Sequence, residues 1–281
     1  MNVLAFFLIV GFLGSNGGGN PAPLSPPSGG GQASDEQLEL ENFLSQAKIV
    51  AVEKNVLAGR GAAWRVTLRA GDDTRRGFFK YVNSRRPAVI AISYRYEIAA
   101  YILSKLVGTP IVPPVVEREV EGRRGSLQIY LESCISEVDR LRAGKPAPGD
   151  PKAMADALDE LTLFEGLTAC ARDVNDIMIH TDTGRLCRVD FAEAFNPSPE
   201  LPAAAAAAVR CSRRLYKGLA ALDPAGAEAA LKRYLNPDEI QGVLARRGLI
   251  LEKIKALIET KGEGAVLFSL AVPSAPAKKR P

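Results

Sequence analysis

The feature that most constrains this chain is a single change of pattern. Residues from about 47 to 132 read as strands interrupted by one helix, and residues from about 150 to 262 read as helices. Strands first and helices second define an α+β arrangement, with the helices segregated to one end of a sheet. The 281 residues suit one large domain or two fused lobes. Hydrophobic residues make up 47% and charged residues 24%, enough to bury a core.

The ends read differently. Val3–Leu13 is a short apolar run, the length of a signal-peptide core and too short to span a bilayer comfortably. No basic residue precedes it, and Ser15 stands where a lipoprotein would carry its lipid-bearing cysteine. Residues 15–34 form a Gly/Pro/Ser linker, and residues 269–281 read as a disordered tail. The expected organisation is a signal-like or anchor segment over 1–14, the linker, a β-rich N-lobe over 35–132 and a helical C-lobe over 133–268. The expected compartment is the cytoplasm or the cell envelope, with weak membrane association through the N-terminus.

The net charge of +4 is spread in short arginine pairs, without the dense basic stripe and interleaved aromatics of a nucleic-acid interface. Cys134, Cys170, Cys187 and Cys211 have no zinc-ligand spacing and read as buried small hydrophobes.

Within the strand-rich part, Trp64–Leu68 alternates as a half-buried strand should, and Gly59 and Gly61 form a glycine-bearing turn before it. Gly71-Asp72-Asp73 is a turn signal, and Gly77–Tyr81 is the next short strand. Lys80 lies inside that apolar strand, where a lysine is costly unless paired. A helix predicted over Ser93–Gly108 offers Glu97 in its first turn. A strand lysine with an acidic partner on the next helix can hold nucleotide phosphates. The plainer alternative is a lysine reaching solvent at a strand edge and a glutamate favouring a helix N-terminus.

In the helical part, Asp150-Pro151 starts a helix that runs towards Ala169. The polar run Arg172–Asp176 then meets the apolar strand Ile177–Ile179, and a second strand, Arg185–Phe191, contains Asp190. A hairpin of this kind brings Asp176 and Asp190 near one point. Mg²⁺ binds through one or two carboxylates plus substrate phosphates. Asp173, on the approach loop, is a candidate to accept a proton from an attacking hydroxyl. The alternative is a solvated acidic hairpin with side chains capping turns. Further helices are predicted over Val209–Leu222, Ala225–Tyr234 and Pro237–Lys261.

Gly77-Phe78-Phe79-Lys80, the Tyr96–Tyr101 helix, Val112–Val115, Ser126-Leu127-Gln128 and Val189–Phe195 together resemble the atypical kinases. That group holds HipA-like bacterial kinases, phosphoinositide-kinase-like enzymes and secretory-pathway kinases. The resemblance covers about residues 47 to 262 and rests on the order of the motifs. It implies a bilobal protein-kinase-like fold that binds ATP with Mg²⁺ or Mn²⁺. Lys80 would hold the phosphates and pair with Glu97, the Gly59–Gly61 turn would cover them, and Asp190 would bind metal with Asp176. Tyr130, Leu131 and Glu132 would form the hinge that reads the base. Ungapped matching of Ile177-Met178 places Ala171 where the group carries its catalytic aspartate and Asp176 where it carries asparagine. Asp173 is the candidate substitute base. Two functions follow from this pattern. One is transfer of the γ-phosphate to a hydroxyl on a protein or small molecule; the other is a nucleotide-binding pseudokinase that acts as an interaction module.

Overall fold

The computed structural model describes residues 35–57, 63–84 and 91–270. Gly59, Gly61 and the terminal segments lie outside the described residues. The chain opens with α1 (Asp35–Gln46), then β1 (Lys48–Leu57), β2 (Ala63–Ala70), β3 (Asp73–Lys80), β4 (Asn83–Ser84), β5 (Ile92–Ser93), α2 (Tyr94–Leu106), β6 (Val115–Val120) and β7 (Arg123–Ile129). The second half holds β8 (Cys134–Ser136), α3 (Glu137–Arg142), α4 (Pro151–Thr168), a 3-10 turn at Val174–Asp176, β9 (Ile177–His180) and β10 (Leu186–Arg188). It continues through α5 (Ala203–Ala207), β11 (Cys211–Ser212), α6 (Arg213–Ala221), α7 (Pro224–Leu231), α8 (Pro237–Lys261), α9 (Glu263–Val266) and β12 (Leu267–Phe268). None of these helices is long and apolar enough to cross a membrane.

The first half is built on a five-stranded antiparallel sheet in the order β1-β2-β3-β7-β6. Alternation along its strands sends Trp64, Val66, Leu68, Phe79 and Leu127 into one core with Leu44 and Ala47 from the α1 region. Side chains of this size each stabilise the fold by roughly 1.5–3 kcal/mol when buried. Trp64, Phe79 and Tyr81 gather with ring centroids 4.9–6.1 Å apart. Gly125 on β7 allows close approach, because a Cβ there would press on the Lys80 carbonyl and the Phe79 ring.

The second half is a helical assembly around α4 and α8, with the small sheet β10-β9-β8 facing the first half. Asp150 caps α4 as expected from Asp150-Pro151, and Asn236 with Glu239 forms a capping box on α8. This is the bilobal, kinase-like α+β arrangement expected from the sequence.

Three details differ from the sequence reading. α1 is an additional helix ahead of the first strand. Tyr101 Oη donates to Glu41 at 2.5 Å and Lys105 Nζ reaches the same carboxylate at 2.9 Å, so α1 is tied to α2. The helix expected from Val209 begins at Arg213, because Cys211 and Ser212 pair with Leu267 and Phe268, and Ser212 caps the helix instead. The strand expected to reach Phe191 ends at Arg188, since Asp190 turns into the left-handed region at φ 62°.

Candidate active site

Lys80, Glu97 and Asp190 meet at one point. Lys80 ends β3 next to Ala63 on β2 and Ser126 on β7. Its Nζ lies 2.7 Å from Glu97 Oε1 and 2.8 Å from Asp190 Oδ1. Ser93 caps α2 by accepting from Arg95 N, which sets the helix start and places Glu97 in its first turn. The second carboxylate oxygen of Glu97 accepts from Phe191 N at 3.0 Å. Glu97 therefore joins the β3 lysine to the backbone that follows Asp190. Phe191 is fully buried and packs edge-on against Phe164 of α4, centroids 5.9 Å apart. The site is fixed to the helical lobe by that packing.

The electrostatics favour a charged cluster. Burial alone would discharge Lys80, but Glu97 and Asp190 override it and hold its pKa above the usual lysine range. Burial acts in the opposite sense on Asp190, and Lys80 prevails, keeping that carboxyl below its ordinary value. Glu97 is raised, chiefly by burial, with Lys80 opposing. Asp190 remains accessible, with 46% of its side chain exposed, so it presents a carboxylate to the cleft.

The loop before β9 is organised by a residue to which the sequence assigned no role. Arg188 is 1% exposed and pairs with Glu165 at 3.2 Å and with Asp176 at 3.1 Å. It also donates to the carbonyls of Ala171 and Val189. Arg172 reaches the same Glu165 at 2.8 Å. Two arginines and one buried glutamate thus hold residues 170–176 in place. Nothing in the spacing of Arg185–Asp190 reveals that this arginine is buried. The signal was present only as a charge in an otherwise apolar strand.

Asp173 and Asp176 occupy different environments from Asp190. The Asp173 carboxylate accepts from Asn175 N at 2.8 Å and from Asn175 Nδ2 at 2.7 Å, capping the 3-10 turn from an exposed position. Asp176 is half-buried against Arg188. Burial pushes its pKa up to about 6, with Arg188 opposing. A folded-state value above the unfolded one means that ionising Asp176 costs stability, and the cost grows as pH rises from about 4 through 6. Asp176→Asn should therefore raise the melting temperature at pH 8 by a few degrees, and the gain should vanish near pH 4. Thermal scans across that range check the sign. An unchanged difference at both pH values would show that Asp176 is not strained by its ionisation.

The hinge candidates lie at the end of β7. Tyr130 N donates to Arg76 O at 2.9 Å, its ring packs on Phe78 at 5.2 Å, and Glu132 binds Arg76 through both carboxylate oxygens at 2.6 and 2.9 Å. Tyr130, Leu131 and Glu132 line a cavity of about 320 Å³ with Pro114 and His180, whereas Lys80, Glu97 and Asp190 do not line it. Among the described residues no group of three or more His, Cys, Asp or Glu is arranged to hold a metal ion. The four cysteines are free thiols, half-buried at Cys134 and buried at the others.

With this geometry in view, two solved structures are similar to the chain. One is hydra Fam20, solved with a sugar, at a TM-score of 0.63 and 14% identity over 85% of this chain and 94% of that one. The other is the Golgi casein kinase, at a TM-score of 0.58 and 13% identity over 84% of this chain and 79% of that one. No protein-family model and no curated protein matches the chain. The fold is that of the atypical secretory-pathway kinases, as the resemblance implied.

Proposed function

We propose that this protein binds ATP with a divalent cation and transfers the γ-phosphate to a hydroxyl group, with a catalytic loop that lacks its usual base. The observation that carries this reading is the Lys80–Glu97–Asp190 cluster, in which two carboxylates from distant parts of the chain converge on one buried lysine. Purely structural needs would be better served by apolar residues of similar volume, because a buried ion pair seldom adds net stability. The similarity of fold to the Golgi casein kinase and to hydra Fam20 supports the class of reaction. It leaves the acceptor as an unidentified protein, sugar or other small molecule.

Each residue has a physical task in this scheme. Lys80 offers a fixed ammonium to phosphate oxygens, and Glu97 keeps it charged and oriented. Asp190, and Asp176 by sharing with Arg188, would hold Mg²⁺ or Mn²⁺. With so few carboxylates present, the remaining coordination falls to phosphate oxygens and water, which suits Mg²⁺. Bound metal supplies charge neutralisation on the phosphates. In the transfer, the bond from the γ-phosphorus to the β-γ bridging oxygen breaks and ADP departs with that electron pair. A bond from the acceptor oxygen to phosphorus forms, and the hydroxyl proton passes to a base or to water. Asp173 is the carboxylate nearest in sequence to that duty, although its hydrogen bonds to Asn175 occupy it as a turn cap.

Ala171 and the engagement of Asp173 favour a second reading, a nucleotide-binding pseudokinase acting as an interaction or regulatory module. Calorimetry separates the site from both alternatives. Wild-type protein should bind ATP more tightly with Mg²⁺ than with EDTA, and Asp190→Ala should remove that difference while leaving the melting transition cooperative. Equal affinity in the two conditions would reject the metal assignment.

A further inference from the structure

Three strands of the large sheet align one row of side chains on the face that carries Lys80. Arg65 on β2 pairs with Phe78 on β3, and Phe78 pairs with Gln128 on β7. Directly paired residues point to the same side of a sheet. The neighbouring row on that side is Ala63, Lys80 and Ser126, one pleat along, roughly 7 Å away. The opposite side carries Trp64, Phe79 and Leu127, which are packed into the core with the α1 region. The Arg65–Phe78–Gln128 row therefore overlooks the same cleft as the lysine cluster.

This row combines an aromatic ring with unused donors. Gln128 Nε2 and Arg65 Nε are both buried without a hydrogen-bond partner among the described residues. Buried polar groups are nearly always paired in folded proteins, so two orphans on either side of one ring are a feature to explain. Phe78 lies between them and packs on Tyr130. An aromatic surface with convergent polar groups at its edge is the chemistry of a site for a flat heteroaromatic ligand.

We infer that Gln128 is a base-reading residue. Its carboxamide engages the N6/N7 edge of adenine, with Nε2 donating to N7 and Oε1 accepting from the 6-amino group. A glutamine amide matches those two atoms of adenine in a bidentate pair, and the 6-oxo group of guanine breaks the match. This specificity deepens the proposed nucleotide site and rests on it.

The test uses the full chain with Mg²⁺ and titrates ATP, 7-deaza-ATP and GTP by calorimetry. Loss of the N7 acceptor leaves the Nε2 donor unpaired, so 7-deaza-ATP should bind the wild type about tenfold more weakly than ATP, and GTP more weakly still. Gln128→Met should bind ATP and 7-deaza-ATP equally. Equal affinity of the wild type for ATP and 7-deaza-ATP overturns the role of Gln128 and leaves the nucleotide site standing. Failure of the wild type to bind any of the three overturns both. Because the comparison of ligands is made on the wild type, the outcome does not depend on the variant folding.

Discussion

Ala171→Asp should raise the rate of phosphoryl transfer by on the order of a hundredfold. A positioned base contributes about that much or more to proton removal from an attacking group. Residue 171 lies at the start of a loop held by Arg188 and Arg172, and its carbonyl accepts from Arg188 at 3.2 Å. The backbone is thus already anchored where the new carboxylate would stand. The side chain at 171 is exposed, so the substitution buries no charge. A steady-state assay of ADP release with increasing acceptor or water checks the rate, and titration of ATP in parallel shows whether affinity has moved. An unchanged rate with unchanged ATP affinity would mean that proton removal is not the missing step. Asp173→Ala, measured beside it, should have little effect, since its carboxylate is committed to Asn175.

A second large effect is expected from Lys80→Met. The variant should lose nucleotide affinity and about 3–5 kcal/mol of stability, because it strips the cation from a buried carboxylate. Glu97 has only 4% of its side chain exposed, and Lys80 has 17%. For a domain of this size such a loss lowers the melting temperature by roughly 10 °C. The double variant Lys80→Met with Glu97→Gln should recover much of the stability. Glutamine preserves the acceptor for Phe191 N and needs no counter-ion. It should not recover nucleotide binding. This coupling, read as a double-mutant cycle, distinguishes a functional lysine from a packing one. Equal melting temperatures for the single and double variants would show that the pair is not energetically coupled.

The parts legible in the sequence are those governed by local chemistry or by chain order. Asp150-Pro151 and Asn236-Pro237 are helix starts whose capping atoms lie within three residues. Lys80 was legible because a lysine between phenylalanine and tyrosine in a strand demands a partner, and Glu97 follows at the start of the next helix. The meeting of that pair with Asp190 needs a third contact across the lobes, and only the order of the motifs pointed to it. The α1 helix was passed over although Leu40, Phe43, Leu44 and Ala47 recur at helical spacing, because it follows directly on the Gly/Pro/Ser tract. The orphan donors at Arg65 and Gln128 were out of reach. Their meaning depends on register between three strands, which a one-residue slip would invert. Arg188 was hidden for a related reason, since its burial follows from Glu165 on α4 and Asp176 meeting it from two directions.

The most direct test of the account is transfer of labelled γ-phosphate from ATP by the purified full chain with Mg²⁺ or Mn²⁺, with Asp190→Ala as the paired control. The account predicts slow, metal-dependent transfer or phosphate release by the wild type and none by Asp190→Ala. Turnover that survives in Asp190→Ala, or a wild type that neither turns over nor binds ATP, would contradict it.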